Sequence, residues 1–250
     1  MNRFQFQTVP NVIAGLGTIQ ELFKILKNGR YQRLLLVTDP GMLKQQLHLP
    51  ILDIIEAAGL EYVIYSDVQA DPPEYVVLEA AAFAKQENID VVLGFGGGSS
   101  MDVAKLIAIL AHPEQHQTLS DLYGVDNATG PRLALILVPT TAGTGSEVTP
   151  ISIVTTGETT KTGIVAPILY ADVAILDATF TQNLPAQITA ATGIDAMVHA
   201  IEAYTSKHKK NPYSDMLAKQ ALRLLNANLP RVLQDGYDLE ARQNMLVGSM

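Results

Sequence analysis

The sequence has no cysteine in its 250 residues. That excludes disulfides, thiolate-held zinc, iron–sulfur clusters and a thiol nucleophile. Any metal is left to Asp, Glu or His. There is no apolar run of bilayer length: Arg33–Val37 and Leu133–Val138 are both too short to cross. The opening MNRFQFQTVPNVIAG carries no signal-peptide pattern. There is no basic block either, with Lys+Arg 17 against Asp+Glu 25 and a net charge of −8. Nucleic acid is therefore not expected as the main partner, and a cytoplasmic protein without membrane contact is expected. Repeats and low-complexity linkers are also missing.

What is present is ordinary globular composition, 48% hydrophobic and 17% charged, over a length suited to one large domain or two small ones. The first two-thirds alternate apolar runs with helical patterns. Thr18-Ile19-Gln20-Glu21 predicts a capping box and a helix that stops near Gly29. Leu34–Val37, Tyr62–Tyr65, Asp90–Phe95 and Leu133–Val138 read as strands. Helices are expected at 50–58, Pro73–Asn88 and Ser99–Ala111. This alternation implies an α/β fold with a mostly parallel sheet and helices on both faces. After about residue 180 the pattern turns helical, with helices at Thr181–Tyr204, Pro212–Leu225 and Asp238–Met250. Two domains are expected, an α/β domain over 1–180 and an all-helical one over 181–250. The last helix has no closing Gly, Asn or Pro. It reads either as a frayed end or as a chain cut within a helix.

Four segments carry chemistry. Strand 90–95 runs into Gly96-Gly97-Gly98-Ser99-Ser100 and then a helix. Glycines there let backbone N–H groups approach a phosphate, and the helix N-terminus adds partial positive charge. Ser99 or Ser100 is expected to cap that helix, Asp102 to sit in its first turn facing the dipole, and Lys105 to be exposed. The segment is neither a P-loop nor the strict G-x-G-x-x-G fingerprint, and a ligand-free glycine turn is the alternative. Asp39 ends a strand, where an acid can accept from a ribose and repel a 2′-phosphate, favouring NAD; capping the next helix is the alternative. Pro139-Thr140-Thr141-Ala142-Gly143-Thr144-Gly145-Ser146-Glu147 forms a second polar loop at a strand end. Asp195 and His199, four apart on a helix, project from one face and can share a divalent cation; a solvated pair is the alternative. His112 and His116 flank a helix end, where they read as dipole partners. His208 lies in a solvated basic run.

Taken together, GGGSSMDVAK at 96–105, PTTAGTGSEVTP at 139–150 and ILDATFTQNLPAQITAATGIDAMVHAIEAY at 175–204 resemble the iron-containing (group III) alcohol dehydrogenases. The opening FQTVPNVIAGLGTIQEL is similar too. The resemblance implies a Rossmann-like domain followed by an all-helical domain, a dehydroquinate synthase-like architecture with the active site in the cleft between them. It implies that Asp39 contacts the adenosine ribose, and that Gly96, Gly97, Gly98 and Ser99 cradle the pyrophosphate. Thr140, Thr141 and Thr144 would line the cofactor site, and Lys161 would lie near the nicotinamide ribose. Asp195 and His199 would be the first two ligands of Fe(II) or Zn(II). Members complete that site with two later histidines, but no histidine follows His208 here. The expectation is therefore the N-terminal portion of a longer protein. Its implied activity is hydride transfer between a primary or small alcohol or aldehyde and NAD(H), with the metal as Lewis acid. A homodimer or larger homo-oligomer is implied as well. A glycerol dehydrogenase-like relative is the near alternative, and a non-catalytic NAD-binding module the remote one.

Overall fold

The structure is a computed structural model that describes residues 3–250. The first two residues of the expected α/β domain lie outside them. Its main sheet contains β1 (Asn11–Ala14), β2 (Arg33–Val37), β3 (Glu61–Tyr65), β4 (Val91–Gly96), β6 (Ala134–Pro139) and β9 (Val173–Leu176). The spatial order is β1-β9-β6-β4-β2-β3, and every pairing is parallel. A parallel sheet covered on both faces needs strands that are apolar on both sides, and β2 and β4 meet this with Leu34-Leu35-Leu36-Val37 and Val91–Gly96 buried. Leu34, Leu36, Leu93 and Phe95 pack on one face with α1 (Glu21–Gly29) and α3 (Leu49–Ala57). Leu35, Val37, Val92 and Leu135 pack on the other with α4 (Glu74–Gln86) and α5 (Gly98–Leu110).

The chain steps outward from β2 to β3, then returns past β2 to β4 and continues outward through β6. The strand order thus reverses between β2 and β4, which makes the crevice at their carboxyl ends the expected ligand position of an open α/β sheet. The short α2 (Pro40–Lys44) starts at that edge. A second sheet of β5 (Gly124–Val125), β7 (Ile151–Thr156) and β8 (Thr160–Val165) covers the outer side of α5. α6 (Leu119–Leu122) leads into it. From Ala186 onward the chain is helical: α7 (Ala186–Thr205), α8 (Pro212–Gln234) and α9 (Leu239–Ser249). They share a small core of Ala196, Leu225, Leu229, Val232, Ala241 and Met245. Gln243 ties α9 to the end of β9, donating to the Leu176 carbonyl at 3.0 Å and accepting the Ala178 N–H at 3.1 Å. Among the described residues no helix is long and apolar enough to cross a membrane.

Several local expectations are corrected. Thr18 opens a 3₁₀ turn and donates to the Gly15 carbonyl at 2.8 Å instead of capping, while Glu21 pairs with Lys24. The left-handed residue that ends α1 is Arg30, one past Gly29. Neither Ser99 nor Ser100 caps α5; the cap position is Gly97, in an extended conformation with no side-chain acceptor. Strands β1, β5, β7, β8 and β9 were not expected. β7 and β8 form an antiparallel hairpin turned at left-handed Gly157 (φ 63°). Their threonine-rich, partly exposed sequences lack the continuous apolar run that marked the central strands.

Candidate functional site

Three strand ends meet at the crevice. At the end of β2, the Asp39 Oδ1 atom accepts the N–H groups of Gly41 (2.8 Å) and Met42 (3.2 Å), capping α2. Its other carboxylate oxygen, Oδ2, lies 3.3 Å from where a Cβ on Gly96 would stand. Gly96 itself has φ +151°, and an added Cβ would meet Ser100 Oγ at 2.6 Å. Only a glycine fits this strained, crowded position. The next glycines open α5, whose first-turn N–H groups have no side-chain cap and face the same edge.

The threonine loop after β6 closes over the glycines. The Thr140 N–H donates to the Gly96 carbonyl at 3.0 Å. A Cβ on Gly97 would sit 3.7 Å from Thr141, and one on Gly98 would sit 3.0 Å from Thr144 Cγ2. The hydroxyls of Thr38 and Thr140 are buried without a protein partner. Buried hydroxyls in folded proteins are normally satisfied, so two orphans at the ends of β2 and β6, the strands on either side of β4, point to a polar ligand at this crevice. Thr38 was not singled out from sequence; its signal was its position directly before Asp39.

The same loop reaches the helical part. A Cβ on Gly143 would come 2.9 Å from the Thr192 Cβ on α7, one turn before Asp195. Asp195 and His199 present Oδ1 and Nε2 3.7 Å apart, with side chains 47% and 49% exposed. A carboxylate oxygen and an imidazole nitrogen at this separation stand a few tenths of an ångström wider than two neighbouring ligands of one iron or zinc ion, a gap that small side-chain rotations close. Among the described residues no group of three or more His, Asp or Glu gathers for a metal. The pair by itself supplies two donors.

Not every candidate joins the crevice. Lys161, on β8, is exposed and ion-pairs with Asp71 at 2.5 Å. The hairpin that carries it is docked on 71–73, where the Thr155 N–H donates to the Pro72 carbonyl. His112 Nδ1 accepts the Glu114 N–H at 3.2 Å, a local turn contact beyond the helix.

Lys105 is the main correction: it is fully buried, 0% exposed. Its ammonium donates to Ser146 Oγ (2.8 Å), Thr149 Oγ1 (3.3 Å) and the Ile151 carbonyl (2.6 Å). Burial lowers its pKa, against the pull of Asp102 and Glu147. Asp102 faces away from the phosphate side, accepting from Ser146 Oγ (2.6 Å) and the Ile153 N–H (2.9 Å). Burial pushes the Glu147 carboxyl up to about 7, and its Oε1 has no partner. A sequence signal existed: Lys105 stands inside Val103–Leu110, otherwise wholly apolar, and a helix apolar all round is a buried one.

The sequence matches the family described as iron-containing alcohol dehydrogenase over residues 10–178, and the C-terminal part of the Fe-containing alcohol dehydrogenase family over residues 189–250. It is 40% identical over 236 residues to long-chain-alcohol dehydrogenase 1 of Geobacillus thermodenitrificans (strain NG80-2), covering 94% of this chain and 59% of that protein. It is 36% identical over 237 residues to the NAD-dependent methanol dehydrogenase of Bacillus methanolicus, covering 94% and 61%. The fold is similar to a 1,3-propanediol oxidoreductase crystal structure with a TM-score of 0.94 and 34% identity, covering 99% of this chain and 64% of that one. The chain thus spans about three-fifths of the length of the curated relatives it matches.

Proposed function

This chain belongs to the iron-containing alcohol dehydrogenase family, and on that premise we propose that the whole protein interconverts a primary or small alcohol and its aldehyde with NAD(H). The observation that carries the reading is the apposition of the Gly96–Ser99 and Thr140–Thr144 loops at the β2/β4 crevice, with two buried hydroxyls facing no protein partner. The N–H groups at the start of α5 would hold the pyrophosphate, and Ser99 would donate to it. Asp39 would accept from the adenosine ribose through Oδ2, its Oδ1 being engaged in the α2 cap. Thr140, Thr141 and Thr144 would line the cofactor site. Lys161 would reach the nicotinamide ribose by exchanging its Asp71 ion pair. An Asp at the ribose favours NAD over NADP.

Asp195 and His199 would hold a divalent metal, Fe(II) or Zn(II), together with ligands from beyond the described set. When bound, the metal would polarise the alcohol or aldehyde oxygen, and the nicotinamide would exchange the hydride. Thr192, one turn before Asp195, lies against Gly143 of the threonine loop, which supports a metal pair and a cofactor loop that would share one cleft. The substrate class is a small alcohol or aldehyde, and the relatives' names span methanol to long-chain alcohols. The same reading carries a cytoplasmic location and a homodimer or larger homo-oligomer.

The test is a fluorescence titration of the 250-residue chain with NADH, repeated with Asp39→Ala. Saturable binding weakened by the substitution supports the reading. Absence of binding by the unsubstituted chain refutes it.

A further inference from the structure

We propose that Lys105, with Asp102 and Ser146, is a positioning unit that holds the two loops of the dinucleotide cradle at their working separation. This rests on the reading of those loops as a cofactor site.

The argument starts from where a charge has been put. Every residue of α5 from Ser100 to Leu110 except Asp102 is buried. An ammonium in such a place is unfavourable unless it is paired and fully hydrogen-bonded. An apolar side chain there would pack without that cost. Lys105 is satisfied, since its three donors meet three acceptors. All three acceptors lie in one short stretch, Ser146 to Ile151, which directly follows the threonine loop. Asp102, one turn earlier on the same helix face, binds the same stretch through Ser146 Oγ and its continuation in β7 through the Ile153 N–H. Ser152 Oγ donates to the Asp102 carbonyl at 3.1 Å. The charged groups that face the ammonium are Asp102, 3.5 Å away, and Glu147.

The unit therefore joins the helix that begins at the glycine cradle to the segment into which the threonine loop runs. Ser146 is its hub: it receives from Lys105, donates to Asp102, and through its N–H donates to Thr144 Oγ1 at 3.2 Å. Thr144 is the side chain that lies over Gly98. The chain of contacts runs from Lys105 through Ser146 to Thr144 and ends at the cradle. Apolar packing tolerates sliding between elements, whereas charge-assisted hydrogen bonds in a dry site hold one register. A cradle held in register before the cofactor arrives binds it without an ordering cost.

The experiment compares NADH affinity, by nicotinamide fluorescence, in the unsubstituted chain and in Ser146→Ala, Ser146→Thr and Lys105→Met. Each is read at a temperature where circular dichroism shows the fold intact. Ser146→Ala, which leaves both charges in place, is expected to weaken NADH by about tenfold. Ser146→Thr, which keeps the hydroxyl, restores affinity to within about threefold of the unsubstituted chain. Lys105→Met, where it folds, weakens NADH at least as much as Ser146→Ala. A folded Ser146→Ala chain that binds NADH as the unsubstituted chain does overturns the proposal, whether or not Lys105→Met folds. If the unsubstituted chain binds no NADH, the cofactor reading itself fails, which is a separate result.

Discussion

Gly98 and Thr144 approach so closely that a methyl group on the glycine would stand 3.0 Å from the threonine Cγ2 and 3.1 Å from its Oγ1. This contact brings the loops after β4 and β6 together, and it grades the glycines of the cradle. Gly98→Ala requires Thr144 to give by a few tenths of an ångström. Gly96→Ala adds a Cβ at φ +151°, against Ser100 Oγ at 2.6 Å. Gly98→Ala is expected to keep the fold and weaken NADH several-fold. Gly96→Ala is expected to cost about 1–3 kcal/mol of stability as well. Urea unfolding and NADH titration of the two variants check the order; equal stability would contradict it.

Phe95, between Gly94 and Gly96, anchors the glycine loop to the core. It is fully buried and stacks edge-on against Phe180, with centroids 5.0 Å apart. Phe95→Ala leaves a cavity beneath the crevice and is expected to cost about 3–5 kcal/mol. Phe95→Leu fills part of that space and costs less. Denaturant midpoints measure both.

Asp195 and His199 are half-exposed and 3.7 Å apart, so their mutual attraction contributes little to folding. His199→Ala is expected to change stability by less than about 0.5 kcal/mol. In the whole protein it is expected to abolish turnover while NADH binding survives. Turnover retained without His199 would remove the metal role from this pair.

Glu147 makes stability depend on pH. Its carboxyl titrates at about 7 in the folded chain against an ordinary value of 4.5, because it is buried. In that window the native state holds a proton that the unfolded state has released. Stability therefore falls as pH rises from 4.5 towards 7 and levels off above. The loss from this group is roughly 3 kcal/mol. Glu147→Gln removes this component and is expected to be more stable than the unsubstituted chain at about pH 8. Denaturant unfolding at about pH 5 and pH 8 reads the difference; an unchanged slope in the variant would rule Glu147 out as its source.

The central strands and main helices were legible because their physics is local. Leu34–Val37 and Val91–Phe95 carry no polar side chain, and only strands covered on both faces read that way. The hairpin of β7 and β8 was not legible. Its stability comes from lying on α5 and on the Asp71–Pro73 segment, which are distant in sequence. The Thr18 capping box failed because the Thr18 hydroxyl and N–H both go to the Gly15 carbonyl, at 2.8 and 3.4 Å, and Glu21 pairs with Lys24; the Ile19 N–H beside it is taken by Asp177 at 3.1 Å, 158 positions away.

The sequence by itself determined the parallel α/β core, the helical run after it, and the residue types of the cradle and the Asp195–His199 pair. Each follows from periodicity, apolar runs or i,i+4 spacing, all of which act over a few residues. Only the tertiary structure decided which loops meet and what Lys105 does. The strand order reverses between β2 and β4, so Asp39 and Gly96 share one crevice although 57 positions separate them. The apolar run around Lys105 signals a buried helix but not what satisfies its charge. Lys105 is buried because partners 41 to 46 positions later supply its hydrogen bonds, and no local pattern reports a partner that the fold alone brings near.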